Sequence, residues 1–426
     1  MKAAPIIKAI GELIQDTRRA SNMTLTQLSE LSGINKGTIS RIENGDVKRP
    51  EFSTAYPLAT ALGIPFETLI DYYAEIEKRA EILLGMLQTA IAEGSSAELI
   101  RKVTNKYLES PNEDSIDLTE KLYQHIDSIE DTSIKLSLYN LIIDYSRSHG
   151  IMPYIAKGLY KKYMIERNDF SRLEETYQSG HYILNYESFL NDIEKITLYY
   201  SLGVHAFSLM HYDNSIRFSE YVVDNDNTIT EEYKANALFN ICNCYYYLGA
   251  YENSQKYLSE YNKYSFPYIK DNIDLMNGCL RAKTGNIDFG ILQLENYLQN
   301  HSEYNLIYSV TMLMDLYLFK QNYTAAEKLI TYENEMTRSI EDYRTTPDKR
   351  SKLAHYYKLK GDLLQKENIE EAFDSYIQSA LEYKKISLDR KAYEVLGLMT
   401  DAANGDVETT NVVIQKLRTA LNMLSK

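Results

Sequence analysis

Apolar residues recur at intervals of three and four from the first turns of the chain. Ile6, Ile7, Ile10, Leu13 and Ile14 fall on one side of a helix drawn over residues 6–20, because residues so spaced share a helical face. Thr24-Leu25-Thr26-Gln27 predicts a second start. The threonine hydroxyl accepts from the Gln27 amide while the glutamine side chain reaches back, which is a capping box. Leu28 and Leu31 continue that helix until Gly33 stops it. Asn35 caps a third helix, Lys36 to Asn44, which Gly45 closes in a left-handed conformation. Further helices, from about Ser53 to Leu62 and from Phe66 onward, are bounded by glycine or proline. Two short helices joined by the turn Ser32-Gly33-Ile34-Asn35 make the pattern of a helix-turn-helix.

From residue 71 the pattern becomes repetitive. A Gly, Asn, Asp or His turn precedes an aromatic or branched residue, and a small residue follows three positions later. The markers are Phe170, Tyr212, Tyr251, Ile287, Tyr323, Ile369 and Val407, spaced 36 to 46 residues apart. Their small partners are Ser215, Ser254, Gly290, Ala326, Ala372 and Thr410, while Leu173 breaks the rule in the first copy. Repeats of this length with a turn between two helices carry the tetratricopeptide signature. The small residue lets the second helix lie close to the first, and the aromatic fills the seam. The stretch 71–426 has room for about nine such pairs. The expectation is an all-α chain: a five-helix helix-turn-helix domain over 1–70, a linker helix over 71–92, and a right-handed TPR-like helical solenoid over 93–426. Proline agrees, since four of the eight prolines (Pro5, Pro50, Pro57, Pro65) precede residue 66 and the rest of the chain is nearly free of this helix breaker.

Charge separates the same two regions. Residues 1–50 hold eight Lys/Arg against five acids, a balance of +3, so the remainder carries −17 of the net −14. That balance argues against a nucleic-acid coat and leaves room for a small basic module. No run approaches the ~18 apolar residues of a membrane span, and the first 25 residues lack the apolar core of a signal peptide. Three cysteines in 426 residues are too few for a disulfide scaffold, which points to a reducing cytoplasm. Cys242 and Cys244 form a C-x-C with no second pair, and the seven histidines are scattered, so neither a metal site nor any other cofactor is expected. Adjacent acids such as Glu174-Glu175 and Glu370-Glu371 read as solvated helix faces. Nothing in the sequence commits to catalysis.

The stretch Leu28-Ser29-Glu30-Leu31-Ser32-Gly33-Ile34, with Thr38-Ile39-Ser40-Arg41-Ile42-Glu43-Asn44-Gly45 and Leu58-Ala59…Ala61-Leu62-Gly63-Ile64, resembles the DNA-binding domain of lambdoid-phage repressors and XRE-type regulators over roughly residues 5–72. The resemblance puts Lys36, Gly37, Thr38 and Arg41 on the groove-facing side of a recognition helix. Arg41 is suited to donate twice to guanine, Thr38 to touch a thymine methyl, and Gly37 to allow close approach. Lys48 and Arg49 lie in the following loop, placed to hold phosphates. Arg18 and Glu43 match the family's buried ion pair. Leu25 stands where a phosphate-binding glutamine is common, and Glu51 where some phage repressors carry a minor-groove arginine.

A repeat array offers a concave face lined by the first helix of each pair. In the pair that turns at Gly249, Asn236, Asn240 and Asn243 sit at i, i+4 and i+7, one stripe. Tetratricopeptide geometry aims that stripe at the groove, where asparagine amides pair with the backbone of an extended peptide. Tyr200, Asn272, Tyr308, Asp315 and Tyr357 occupy analogous places in neighbouring repeats, Asp315 suited to a basic ligand group. An XRE-type head on such an array resembles the peptide-pheromone-responsive regulators of Gram-positive bacteria and their phages, the PlcR, NprR, PrgX, Rap and arbitrium-receptor family. The resemblance implies a cytoplasmic quorum-sensing homodimer that binds operator DNA and a short signalling peptide. In that setting Ile76, Ala80, Leu83, Leu84 and Leu87 of segment 72–92 are candidates to link or pair the DNA heads. It equally implies a Rap-like alternative, in which the array sequesters or dephosphorylates a response-regulator protein and Gln124 is a possible reactive position.

Overall fold

The computed structural model describes residues 10–225, 231–342, 345–402 and 407–424, which form helices and connecting turns. The chain divides into two compact units between Ile165 and Glu166. The expected helix start at residue 6 and the Gly405-Asp406 turn lie outside the described residues.

The first unit contains α1 (Ile10–Ala20), α2 (Leu25–Ser32), α3 (Lys36–Glu43), α4 (Phe52–Ala61), α5 (Phe66–Ile76), α6 (Ala80–Ala92), α7 (Ala97–Leu108), α8 (Ser115–Asp127), α9 (Thr132–His149) and α10 (Met152–Glu166). The capping box forms as expected: the Gln27 amide donates to Thr24 Oγ1 at 3.2 Å and the Thr24 amide to Gln27 Oε1 at 2.9 Å. Gly33 ends α2 at φ +73°, a conformation that costs a residue without a β-carbon little. Asn35 accepts from the Gly37 amide at 2.8 Å and caps α3.

The expected linker helix is broken. Residues 71–76 complete α5, and the chain is extended at Glu77. The Glu77 carboxylate pairs with the Arg79 guanidinium at 2.7 Å and accepts the amides of Lys78 and Arg79 at 3.0 Å. Those donors hold its pKa down at about 2. Ala80, Leu83 and Leu87 are buried in the same core that runs from Ile10 to Tyr154. They are therefore spent within the unit and unavailable to pair two heads. The helix-turn-helix shares one continuous apolar core with α6 to α9, so the first body extends far past residue 70.

The second unit contains α11 (Leu173–Tyr182), α12 (Asp192–Ser208), α13 (Tyr212–Asn225), α14 (Glu231–Tyr247), α15 (Tyr251–Tyr261), α16 (Ile269–Lys283), α17 (Ile287–Leu298), α18 (Leu306–Phe319), α19 (Tyr323–Lys328), α20 (Glu333–Ser339), α21 (Pro347–Leu364), α22 (Ile369–Lys384), α23 (Asp389–Ala402) and α24 (Val407–Leu424). Each marker read from the sequence is the first residue of a helix, Phe170 opening a single 3-10 turn. The small residues meet the preceding helix. Ser215 Oγ donates to the Gly203 carbonyl at 2.7 Å and Ser254 Oγ to that of Cys242 at 2.9 Å. A β-carbon at Gly290 would lie 2.6 Å from the Ala282 backbone nitrogen. Cys242 packs against Ser254 and Cys244 against Ser215, each at 3.3 Å. The two thiols thus serve separate seams.

This unit bends until its start meets a turn near its end. Ser387, at φ +56°, donates to the Ser171 carbonyl at 2.6 Å and accepts from the Leu173 amide at 3.4 Å. Phe170 packs on the cluster that includes Ile386 and Tyr383. Beside this closure the buried His205 donates from Nε2 to the Leu173 carbonyl at 2.8 Å. Burial lowers its pKa to about 4. An unfolded histidine titrates near ~6.5, so between these values the unfolded chain binds the extra proton and stability rises with pH. The contribution is complete above pH ~6.5 and lost as pH falls towards 4, on the order of 2–3 kcal/mol in all. Urea midpoints at pH 7 and 4.5 are expected to differ less in His205→Gln than in the wild type.

Candidate functional site

Two candidate sites emerge, one in each unit. In the first, α3 turns Ile39, Ile42 and Glu43 into the core and leaves Lys36, Gly37, Thr38 and Arg41 exposed. Lys48 and Arg49 are exposed in the connection to α4. Among the described residues, none of these four cations closes an ion pair with a carboxylate. A side of a helix with unpaired cations and a glycine that adds no bulk can enter a major groove, while the two loop cations face phosphate.

Two contacts hold that helix in place. Arg18 of α1 donates through Nε and Nη2 to both Glu43 carboxylate oxygens, at 2.7 and 2.6 Å, and through Nη1 to the Met23 carbonyl at 2.7 Å. This is the ion pair expected from the sequence. The second contact was missed there: α1 crosses α3 so closely at Gly11 that a β-carbon would lie 2.1 Å from the Ile42 carbonyl oxygen. A lone glycine within a helical pattern gives no hint of the neighbour that requires it. Leu25 is half-buried against the domain core, and Glu51 is exposed immediately before α4.

In the second unit an aromatic and charged cluster joins α12, α13, α14, α18 and α21. Tyr247, at the end of α14, faces Lys352 of α21, whose Nζ lies 4.3 Å from the ring centroid. Tyr212 stacks on Tyr247 with centroids 5.5 Å apart, and Phe207 packs against both. Lys352 also lies 3.9 Å from Asp348, which meets the Tyr308 hydroxyl. Tyr247 keeps 39% of its surface accessible, so part of its ring is open to a ligand. Burial pulls the Lys352 pKa down, but Tyr247 and Asp348 outweigh it and raise the value above the ordinary lysine range.

The expected ligand residues divide. Tyr308 belongs to this cluster through Asp348. Tyr200 stacks on Tyr233 at 4.6 Å, and Asn236 meets the hydroxyls of Tyr200 and Tyr268, so these side chains bridge successive pairs. Asn243 is half-buried, one turn before Tyr247, and donates to the Phe239 carbonyl. Asp315 is partly exposed, 3.8 Å from Lys283. One expectation is corrected, and two further residues are engaged within the fold. Asn240 is buried and donates to Ser215 and Ser219 of α13 at 2.8 and 2.9 Å, so it closes a seam. Asn272 donates to Tyr261 and accepts from Asn305. Tyr357 points to Thr337 of α20. In each case the helix is rotated enough for the neighbouring pair to take the amide or hydroxyl. Tyr247, four residues beyond Asn243 on the same stripe, was legible by spacing but overlooked. Asn240→Ala is accordingly expected to lower stability by about 1–3 kcal/mol, the cost of stranding buried hydroxyls, read as a shift in urea midpoint.

No group of three His, Cys, Asp or Glu among the described residues is arranged to hold a metal. No helix among them is long and apolar enough to cross a membrane. Gln124 is exposed on α8 and meets Glu120 of its own helix at 3.4 Å.

Residues 14–69 match the helix-turn-helix family model HTH_3. The chain is 42% identical over 60 residues to the uncharacterized HTH-type transcriptional regulator RghRB of Bacillus subtilis, covering 14% of this chain and 43% of that one. It is 38% identical over 72 residues to the HTH-type transcriptional repressor RghR of the same organism, covering 17% and 53%. The matched region thus spans about half the length of these relatives. Among solved structures, phAimR is similar over 95% of this chain and 99% of its own, at 15% identity and a TM-score of 0.39. PlcR of Bacillus thuringiensis, determined with the peptide PapR7 and DNA, is similar over 91% and 98%, at 14% identity and 0.26.

Proposed function

We propose, from the helix-turn-helix domain at residues 14–69, that the chain is a transcription regulator whose grip on operator DNA is set by a short signalling peptide bound in a concave groove of its second unit, beside Tyr247. The observation that carries the first half is the exposed face of α3, with Lys36, Thr38 and Arg41 presented around Gly37. Lys48 and Arg49 supply phosphate contacts, and Arg41, with Lys36 and Thr38 on the same groove-facing side, the base contact. A homodimer fits this role, since two recognition helices one DNA turn apart read a palindrome far more tightly than one.

The second half rests on the chemistry of the cluster around Tyr247. Tyr247, Tyr308 and Asn243 offer aromatic surface and amide hydrogen bonds, the two things an extended peptide backbone takes up. A peptide shifts the DNA-binding equilibrium only if it binds one conformation of the unit better than the other. The test is retention of fragmented genomic DNA by the full chain, followed by sequencing, with Arg41→Ala alongside. A discrete palindromic site is expected, weakened about 5- to 150-fold by the substitution, the range for one bidentate base contact. Sequence-blind retention unchanged by Arg41→Ala, with and without added peptide extract, would sink the reading.

A further inference from the structure

Between α21 and α23 lies a cavity of about 230 Å³, lined by His355, Lys358, Tyr383, Lys391, Glu394, Val395 and Leu398. Its composition runs against that of the chain. In a molecule with 14 more acids than bases, the wall gathers Lys358 and Lys391 around an imidazole, and Lys352 sits one helical turn away on the same side of α21. The carboxylates nearby already have partners: Asp362 holds Lys358 at 2.5 Å, and Glu394 pairs with Arg390 at 2.9 Å. Lys391 closes no ion pair among the described residues, and its Nζ stands 5.9 Å from the Tyr383 ring centroid. Val395, Leu398 and the Tyr383 ring give the remaining wall an apolar character. Cations held together against apolar surface are costly until an anion joins them.

We propose that this cavity takes the C-terminal carboxylate of the signalling peptide, together with an apolar last side chain. The inference rests on the peptide reading above and deepens it, since it states which end of the ligand is anchored and by what. Two further observations agree. Burial lowers the His355 pKa to about 3, with Lys352, Lys358 and Lys391 adding to the effect, so the imidazole is present there as a neutral donor. Burial lowers the Lys391 pKa and Lys352 adds to this, while Glu394 offsets only part of it, so a second carboxylate would still be favoured there. Lys391 supplies the unpaired charge, and Lys358 adds to it while shared with Asp362.

The probe is a random hexapeptide library in two forms, one with free C termini and one fully amidated, each incubated with the full chain. Bound peptides are separated by size exclusion and sequenced by mass spectrometry. The free-acid library is expected to be retained about 10- to 100-fold better, the worth of one charge-assisted hydrogen bond, with apolar residues enriched at the last position. Lys391→Gln is expected to erase that difference and Lys391→Arg to keep it. Lys358→Gln gives a second reading should Lys391→Gln melt early. Equal retention of the two libraries, or a preference untouched by both glutamine variants, overturns the carboxylate subsite and leaves peptide binding standing. Retention of no peptide from either library overturns both.

Discussion

Gly11→Ala is expected to abolish operator retention without altering any atom that faces DNA. The added β-carbon would lie 2.1 Å from the Ile42 carbonyl oxygen and 3.1 Å from its carbon. Both obstructing atoms are backbone, so no side chain can swing aside. The helices α1 and α3 must separate by about 1 Å, and Ile10, Ile14, Ile39 and Ile42, all fully or almost fully buried, lose contact with them. Overpacking typically costs about 1–3 kcal/mol and occasionally more. Alanine's better helix propensity returns about 1 kcal/mol. Because backbone cannot step aside, the clash falls at the upper end of that overpacking range, and the expected net loss is about 2 kcal/mol. Circular-dichroism melting and DNA retention should fall together. Gly37→Ala is the control for stability, because its β-carbon would meet only the Asn35 side-chain oxygen, at 3.1 Å. Wild-type melting in Gly11→Ala would show that the two helices are not packed as described.

Breaking the Arg18–Glu43 pair from one side is expected to have the largest effect of all. The Glu43 side chain is 3% exposed and that of Arg18 12%, so water screens the pair little. Its geometry is bidentate, which fixes direction as well as distance. Glu43→Ala leaves a guanidinium facing apolar surface with only the Met23 carbonyl, and about 3–5 kcal/mol should be lost. Replacing both residues, as Arg18→Met with Glu43→Leu, should recover most of that stability, because two desolvation costs disappear with the attraction. Operator affinity is expected to recover less than stability does, since the double variant no longer sets the rotation of α3 about its axis. Urea unfolding and fluorescence anisotropy on the same proteins separate the two. A double variant as unstable as Glu43→Ala would show that the pair does more than satisfy its own charges.

Local signals were read well from the sequence. Thr24, Gln27, Gly33 and Asn35 act on their immediate neighbours, and their hydrogen bonds form as the spacing predicts. The repeat markers succeed for the same reason: Tyr212, Tyr251, Ile287, Tyr323 and Ile369 each start a helix because a turn residue precedes them and a small residue follows. What failed depends on rotation and on distant partners. Asn240 and Asn243 share a stripe three residues apart, yet one faces Ser215 and Ser219 and the other donates within its own helix. Heptad spacing cannot resolve an angular difference of that size. Lys352 and Tyr247 meet across 105 positions, and Gly11 meets Ile42 across another helix. Neither pairing leaves a periodic trace. The linker expectation failed because Glu77-Lys78-Arg79 has helical propensity and breaks only through hydrogen bonds that Glu77 makes to the following amides.

The contact of Ser387 with Ser171 and Leu173 changes how the second unit assembles. An open array gains stability pair by pair, each interface indifferent to those far away, so its ends can fray without consequence elsewhere. Here the first turn is completed by a loop more than two hundred positions later, and the loop by the first turn. The chain entropy of closing so long a segment grows only with the logarithm of its length, so the closure is affordable once the intervening pairs exist and out of reach before. The last contact to form is therefore also the one that makes the pairs interdependent. An array of separate parts becomes a single cooperative ring, in which loosening any seam is felt at the place where the two ends meet.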